Sequence, residues 1–196
     1  PTGFNTQPYK VVLVSSRKQK EALSRYCLAF NGARVRDSDC TAIFLADKQV
    51  MRTLPRYRKL LKATPSKPIS QKNLLELQFY ISLFSSGYPL PRILAAPISF
   101  LVRTAVSILD FFTRWFYPFP SLASAETWAS KQAIMVAMTY MLACTSKGLA
   151  TIPMEGINAC GIRKVIQAPG RYAIPLVVAT GLPLSEPNAL SERYPI

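Results

Sequence analysis

The sequence contains no histidine, and this absence excludes several kinds of site. Ser-His-Asp and Cys-His nucleophile pairs and imidazole metal sites all depend on that ring. Only 8 glycines are present, and they form neither G-x-G-x-x-G nor G-x-x-x-x-G-K-[ST], the loops that bring backbone N–H groups onto phosphates. We therefore predict no hydrolase of these types, no metal site and no Rossmann or P-loop nucleotide site.

Paired cysteines are missing as well. The 4 cysteines, Cys27, Cys40, Cys144 and Cys160, are too far apart in sequence for a C-x-x-C motif. A free cysteine behaves mostly as a small apolar side chain. We interpret them as buried thiols in a reducing compartment.

Long uncharged apolar segments are also absent. The most apolar stretch is residues 93–117, but Arg103, Asp110 and Arg114 interrupt it. A membrane-spanning helix needs about 18–20 apolar residues with few or no charges. The sequence therefore predicts no transmembrane segment.

The chain has 196 residues, of which 49% are apolar and 17% are charged. A chain of this length buries roughly 70% of its unfolded surface, which is enough for one core, so we predict a single domain over residues 1–196. There are 24 Lys and Arg against 10 Asp and Glu. This basic composition fits a mitochondrial matrix or a cytoplasmic protein and does not separate the two.

The positive charge is concentrated near the N-terminus. Residues 1–72 contain 15 Lys and Arg against 4 acids, whereas residues 73–196 contain 9 against 6. The densest part is an acid-free basic segment, residues 48–72, with eight cations: Lys48, Arg52, Arg56, Arg58, Lys59, Lys62, Lys67 and Lys72. Such a segment attracts RNA or DNA through counterion release, and an anionic lipid surface in the same way. The alternative is a solvated helix face followed by a basic linker.

Short apolar runs predict buried strands at residues 9–14, 41–46 and 174–179. Helical spacing predicts one helix over residues 18–31, between the first two strands. Residues 49–62 are predicted to form a second helix, broken at Pro55. Helices mixed with few strands favour an α+β architecture.

Three further helices are predicted in the second half. The first covers residues 73–85. In the second, residues 97–117, one narrow polar stripe interrupts an apolar surface, so the helix is expected to be buried in a core or a subunit interface, with a membrane-surface helix as the alternative. The third opens at Ser124 and Glu126, ends near Lys147 and is predicted to be central and buried.

Six short segments occur along the chain in an order that is typical of one protein family. They are TGFNTQPY at residues 2–9, ETWA at 126–129, KGLATIPMEG at 147–156, RY at 171–172, IPLVVATG at 174–181 and SER at 191–193. Together they resemble the nitroreductase family of flavin enzymes, with its N-x-Q-P-[WY] segment, its P-x-[EG]-G loop after a long helix and its V-[AG]-x-G strand. The resemblance covers residues 2–48 and 121–196. Residues 52–122 match poorly, and within them residues 73–122 are interpreted as a variable helical insert.

The resemblance implies an α+β fold with a central antiparallel or mixed sheet surrounded by helices. It also implies a homodimer, or a heterodimer with a related subunit, that holds FMN in clefts built by both chains. The flavin would accept electrons from NAD(P)H and reduce a quinone or a nitroaromatic compound. The family's phosphate-binding Arg/Ser cluster lies upstream of the N-x-Q-P segment, so the domain is expected to be incomplete at its N-terminus.

The resemblance assigns candidate FMN contacts to Asn5, Gln7, Glu155, Gly156 and Arg193 and assigns no catalytic residue. The Asn5 carboxamide can donate and accept together, as a flavin pyrimidine edge requires. Gly156 would let the backbone approach the ring, and Arg193 can bind a phosphate with two hydrogen bonds. The alternatives are an ordinary turn residue at Asn5 and a helix-to-loop turn at Gly156.

One departure from the family motivates a second hypothesis. The family's C-terminal Lys-Ser-Arg is Ser191-Glu192-Arg193 here, which removes a cation and adds an acid beside the expected phosphate. With the basic segment, this favours a catalytically weakened member that serves as a structural or assembly component of an RNA-rich complex, such as a mitochondrial ribosome. Fold alone does not decide between enzyme and scaffold.

Overall fold

The computed structural model describes residues 2–55, 59, 71–85, 92–113 and 122–183. Its strands are β1 (Tyr9–Val14), β2 (Cys40–Asp47), β3 (Ala150–Met154) and β4 (Tyr172–Gly181). They form one sheet in the order β1-β2-β4-β3. Strands β3 and β4 are antiparallel, with Ala150 opposite Gly181 and Met154 opposite Val177.

Helices account for most of the remaining described structure. They are α1 (Arg17–Ser24), α2 (Phe30–Asp37), α3 (Gln71–Ser85), α4 (Arg92–Thr113), α5 (Ala125–Thr145) and α6 (Ala159–Val165), with 3-10 turns at Gly3–Asn5 and Val50–Thr53. Helix α5 begins as predicted, because the Ser124 hydroxyl accepts a hydrogen bond from the Thr127 N–H at 3.1 Å. The predicted α+β class is confirmed.

The two central strands carry most of the buried residues of the sheet. Every residue of β2 after Cys40 is buried, and so are eight of the ten residues of β4. The edge strands β1 and β3 consist of exposed and half-buried positions and end on a buried residue. The burial predicted for residues 41–46 and 174–179 is confirmed, whereas that predicted for residues 9–14 is wrong within the single chain, because β1 lies at the sheet edge and Leu13 is 61% exposed.

The chain divides into two compact units. The first comprises Pro1–Lys10, Leu45–Val136 and Pro169–Pro175, and the second comprises Val11–Phe44, Ala137–Ala168 and Leu176–Ile196. The core of the first unit contains two clusters: Ala46, Ala129, Ala133 and Ala173, and Val50, Leu54, Ile81 and Trp128. In the second unit the largest fully buried side chains are Leu23, Val35, Ile43, Phe44, Ile162, Val177 and Val178.

The single helix predicted over residues 18–31 is wrong. Helix α1 ends at Ser24, Cys27 forms an isolated β-bridge with Ile157, and α2 starts at Phe30, which is 81% exposed. The Asn158 N–H donates to the Tyr26 carbonyl at 2.7 Å. A tertiary backbone pairing therefore interrupts a run whose apolar spacing is helical.

Within the single chain, α5 is buried on one side only, although the sequence predicts a helix buried on more than one side. Its small residues, Ala129, Ala133 and Ala137, are fully buried, whereas its large apolar residues, Ile134, Met135, Met138 and Leu142, are exposed. Alanine lets neighbouring backbone approach closely, so the helix packs through its alanine stripe. The larger side chains are left on the outer face.

Helix α4 is not packed in a core, contrary to one of the two burial predictions. Its 18-residue window Ala96–Thr113 has a mean hydropathy of 1.4, and only 6% of it is buried. By length and composition alone this helix is able to cross a membrane, which is weak evidence for a span. A subunit interface and a membrane surface remain as the sequence-based interpretations.

Several shorter elements escaped the sequence analysis. Strand β3 and helices α2 and α6 were not predicted, because none of them has a long periodic pattern. Of the helix predicted over residues 49–62, the structure describes the 3-10 turn Val50–Thr53, helical residues at 54–55 and Lys59, and the rest lies outside the described residues.

Candidate functional site

The predicted flavin contacts Asn5 and Gln7 lie in a strained turn that precedes β1. Phe4, Asn5 and Gln7 have φ angles of 51°, 52° and 48°. L-amino acids rarely adopt this left-handed region, and each such residue costs about 1–3 kcal/mol unless its surroundings hold it there. Three such residues within four positions indicate a turn that is fixed by its neighbours.

Helix α5 and the turn itself provide those fixing contacts. The Gly3 N–H donates to Gln132 Oε1 at 2.6 Å, and the buried Thr6 hydroxyl donates to the Gly3 carbonyl at 3.0 Å. The Gln7 N–H donates to Thr2 Oγ1 at 3.0 Å. A Cβ on Gly3 would lie 3.1 Å from Trp128 Cζ2, so the turn sits directly on α5.

The side chains of Asn5 and Gln7 form an exposed amide pair. Gln7 Nε2 donates to Asn5 Oδ1 at 3.1 Å. Within the described residues, Asn5 Nδ2 and Gln7 Oε1 have no protein partner. The NH₂ group of Asn5 and the carbonyl oxygen of Gln7 are therefore available to a ligand, which suits a planar ring edge that presents both acceptors and donors.

A buried ion pair supports the chain immediately after this turn. Arg171 Nε lies 3.1 Å from Asp47 Oδ2, and the Asp47 N–H donates to the Pro8 carbonyl at 2.8 Å. Arg171 Nη2 also donates to the Tyr172 hydroxyl at 2.9 Å. That hydrogen bond, with the charge of Asp47, raises the pKa of Arg171 further above its usual range. The segment that carries Gln7 is therefore tied to β2 and to the start of β4.

Glu155 and Gly156 lie in a loop that follows β3. Glu155 is exposed and Gly156 is half-buried. The Gly156 carbonyl accepts hydrogen bonds from the Leu28 N–H at 2.9 Å and from Asn31 Nδ2 at 3.4 Å. Over the stretches that the structure describes, the N–H groups of Glu155 and Gly156 donate to no protein acceptor. Two backbone donors are thus available at an exposed loop.

The structure gives Gly156 a role that the sequence analysis did not foresee. A Cβ at this position would lie 3.0 Å from Asn31 Nδ2 and 3.5 Å from the Cβ of Leu28. Its φ lies outside the left-handed range, so no special backbone angle demands a glycine. A side chain at this position would therefore crowd Leu28 and the Asn31 amide of α2, with or without a ligand.

The predicted site residues belong to different units. Asn5 and Gln7 are in the first unit, and Glu155 and Gly156 are in the second. Arg193 lies outside the described residues.

The basic segment is described at three of its eight cations. Lys48 Nζ lies 3.6 Å from Glu126 Oε2, and its side chain is only 15% exposed. Arg52 and Lys59 are exposed, and Arg52 donates to Gln49 Oε1 at 3.2 Å. The backbones of Arg56, Arg58, Lys62 and Lys67 and the side chain of Lys72 lie outside the described residues. Lys48 is therefore part of an internal ion pair, whereas Arg52 and Lys59 face solvent.

The sequence did not indicate the residues that hold the amide turn and the Glu155–Gly156 loop in place. Thr2 and Gln132 anchor the amide turn, and Leu28 and Asn31 hold Gly156. Gln132 offered one usable signal, since it is a polar residue between the small residues of the α5 stripe. No group of three or more Cys, Asp or Glu side chains suited to a metal ion occurs in the described part of the chain.

Comparison with known proteins assigns the family. The sequence model of the nitroreductase family matches residues 1–182. The chain belongs to the nitroreductase family. The predicted resemblance is thereby confirmed, and a search of curated protein sequences gives no match.

Solved structures show the same fold. A Bacillus subtilis protein assigned as a nitroreductase superposes with a TM-score of 0.68 at 20% identity, covering 100% of this chain and 78% of that one. An Exiguobacterium sibiricum protein assigned as a nitroreductase, solved in complex with FMN, gives 0.62 at 17% identity, with coverage of 100% and 76%. An assigned NAD(P)H:FMN oxidoreductase from Staphylococcus epidermidis gives 0.60 at 18% identity, with coverage of 100% and 75%.

Proposed function

We propose that this chain is an FMN-dependent NAD(P)H oxidoreductase of the nitroreductase type that reduces quinone or nitroaromatic acceptors. The observation that carries the proposal is the exposed amide pair of Asn5 and Gln7, held in a strained turn. Strained backbone of this kind tends to occur at functional sites, where the surroundings keep a group in position. The FMN complex of the Exiguobacterium sibiricum relative supports the choice of cofactor.

The available donors and acceptors fit a flavin. Asn5 Nδ2 would donate to, and Gln7 Oε1 would accept from, the pyrimidine edge of the ring. The N–H groups of Glu155 and Gly156 would donate to a ring nitrogen. FMN, when bound, supplies a carrier that takes electrons from NAD(P)H and passes them to the acceptor. The protein residues named here bind and orient that ring.

The phosphate of FMN requires cations, and Arg193 is our candidate for it. Its guanidinium can bind two phosphate oxygens at once. The neighbouring Glu192 opposes this binding through its charge, whereas the net charge of +14 favours an anionic ligand in general. We expect FMN affinity to depend strongly on ionic strength for this reason.

A dimer is part of the proposal. The outer face of α5 exposes four large apolar residues, Ile134, Met135, Met138 and Leu142. Apolar patches of this kind commonly mark a protein interface. A second copy of this chain, or a related subunit, would cover them.

The experiment uses the purified full chain. We expect an absorbance spectrum with the oxidised flavin bands after reconstitution with FMN, and NAD(P)H oxidation that depends on added quinone. A Gln7→Ala variant should lose FMN affinity while a Gln167→Ala variant, at another left-handed position, should keep it. A chain that retains no flavin and oxidises no NAD(P)H at saturating FMN would refute the proposal.

The RNA-associated scaffold remains a prediction from charge alone. No contact among the described residues favours it, and Lys48 is engaged by Glu126. Replacing Arg52, Arg56, Arg58, Lys59 and Lys62 with Gln leaves every proposed FMN contact intact. Loss of salt-dependent RNA binding in that variant, in a chain without flavin turnover, would favour the scaffold over the oxidoreductase.

A further inference from the structure

Helix α4 turns both of its described charged residues toward the protein and most of its large apolar residues outward. At about 100° per residue, Ser99, Arg103 and Asp110 fall on one side of the helix. These residues are buried or half-buried, and so are Val102 and Val106 beside them, so a mixed polar and apolar side faces the protein. In a helix that packs on a core in water, the apolar side would face inward instead.

The opposite side of α4 is apolar and exposed. Its exposed large residues are Ile93, Leu94, Ile98, Phe100, Leu101, Ile108, Leu109, Phe111 and Phe112. Leu101 and Phe112, near the middle of this face, are 65% and 72% exposed. This apolar surface covers roughly half of the circumference, which is wider than the stripe of about 100° that one neighbouring helix covers. An extended apolar layer that covers this whole face therefore fits it better than a single neighbouring helix.

A cleft on the same helix combines apolar and cationic groups. It has a volume of about 560 Å³, and its lining combines apolar side chains, among them Phe100, Ile108 and Phe111, with Arg103 and the hydroxyl residues Thr104 and Ser107. The Arg103 Nε donates to the Ser99 carbonyl at 3.2 Å. An acyl chain beside an anionic head group matches this lining.

The positive charge of the chain indicates what binds the apolar face of α4. The chain carries a net charge of +14, and the eight cations of the acid-free basic segment lead up to and into the first turn of α3. Arg52 and Lys59, in the same unit as α4, are exposed. A second copy would bring the same positive charge, whereas an anionic lipid surface is attracted by it. The charge therefore favours lipid over self-association at this face.

We propose that the apolar face of α4 inserts into the surface layer of a membrane that contains anionic lipid. The helix lies in the plane of the membrane and does not cross it. Arg103 is close to the middle of the Ala96–Thr113 window, and a crossing helix would place this charge near the bilayer centre, where charges are costly. In the plane of the membrane, the polar side stays against the protein and the apolar side enters the lipid.

Flotation of the full chain with lipid vesicles tests the proposal without requiring flavin. We expect the chain to float with vesicles of phosphatidylcholine and phosphatidylglycerol, and much less with phosphatidylcholine alone. The variant Leu101→Gln/Phe112→Gln should lower the partition coefficient roughly tenfold or more, because two large apolar groups no longer enter the lipid. The control Leu13→Gln/Ile152→Gln removes two exposed apolar side chains from edge strands and should leave it unchanged.

A second measurement places the helix in the lipid directly. A Phe112→Trp variant keeps an apolar aromatic side chain, and its extra emission relative to the unmodified chain should shift to the blue and be quenched by lipids brominated in the acyl chain. Absence of vesicle binding by the unmodified chain would overturn the proposal. Equal binding by Leu101→Gln/Phe112→Gln would do so too, as would a change from dimer to monomer in that variant with vesicle binding intact, since the face would then belong to a second copy.

Discussion

The amide turn at residues 3–7 and the loop at residues 155–156 carry the two sets of candidate flavin contacts, yet they are built in opposite ways. The first is strained, with three left-handed residues and two exposed side-chain amides. The second is packed, and a Cβ on its glycine would crowd the Asn31 amide. The turn therefore costs stability and offers groups to a ligand, whereas the loop contributes stability and offers only backbone N–H groups.

This comparison predicts that substitutions in the two places act on different properties. Changes in the packed loop should reduce the free energy of unfolding even without flavin. Changes in the strained turn should leave stability unchanged or raise it, and should reduce flavin affinity. Gly156→Val and Asn5→Gly separate these two outcomes directly.

The largest effect is expected for Gly156→Val. A branched side chain placed 3.0 Å from Asn31 Nδ2 overpacks the loop, so we expect the free energy of unfolding to fall by about 2–4 kcal/mol in the absence of FMN. Urea denaturation measures it. Gly170→Val is the control, because a Cβ at Gly170 meets no atom within 4 Å. Equal stability of the Gly156→Val and unmodified chains without flavin would mean that the packing account of this loop is mistaken.

Gln132→Met should release the strained turn from α5. The change removes the acceptor that binds the Gly3 N–H at 2.6 Å, and an unsatisfied half-buried donor costs about 1–3 kcal/mol. Because the turn loses its anchor, FMN affinity should fall together with stability. Lys131→Met, at the neighbouring exposed position of the same helix, is the matched control. Unaltered FMN affinity in Gln132→Met would show that the turn does not need this anchor.

Tyr140→Phe tests how the stability of the second unit, which contains the packed loop, depends on pH. The Tyr140 hydroxyl lies 3.0 Å from that of the buried Thr180, so its loss should cost about 0.5–1.5 kcal/mol at neutral pH. Burial raises the pKa values of Tyr140 and Cys40. The folded chain therefore keeps protons that the unfolded chain loses, and stability should fall as pH rises above about 8.5–10. In the variant, the free energy of unfolding, measured by urea denaturation, should decrease less between pH 8 and 11 than in the unmodified chain. An equal decrease with pH in the two chains would contradict this account.

Asn5→Gly should produce the smallest change in stability and the opposite sign. Glycine adopts a φ of 52° without strain, so the free energy of unfolding should rise by about 0.5–1 kcal/mol. FMN affinity should decrease in the same variant, because the amide pair is lost. Ala29→Gly, at another left-handed position with a φ of 45°, should gain stability without losing affinity. A variant at Asn5 that loses both stability and affinity would place this residue among the packing contacts.

Features that depend on local sequence were predictable, whereas features that depend on long-range contacts were not. Strands β1, β2 and β4 and the cap of α5 were predictable because compact apolar runs and a Ser before an acid are local signals. The N-x-Q-P segment identified the amide turn, but the left-handed angles at Asn5 and Gln7 depend on Gln132, which is more than a hundred residues away in sequence. Such long-range contacts leave no local pattern.

Two features of the packing leave no local pattern in the sequence. The large residues of α5 were expected to lie inside, yet within the single chain the alanines pack inward because they allow a closer approach. The glycine at position 156 was assigned to a ligand contact, which stays a prediction, and the structure adds that Leu28 and Asn31 lie against it. In both cases burial is decided by the partner surface, which one segment alone does not reveal.

The measurement that tests the central claim most directly is a double-mutant cycle on FMN binding. The dissociation constant of FMN is measured by flavin fluorescence for the full chain, for Asn5→Ala, for Gln7→Ala and for the double variant, with unfolding midpoints as a check on stability. We predict that each single variant weakens FMN binding by roughly tenfold at nearly unchanged stability, and that the double variant weakens it by clearly less than the product, because the two amides position each other. Dissociation constants that match the unmodified chain in both single variants would contradict the assignment of this amide pair to the flavin.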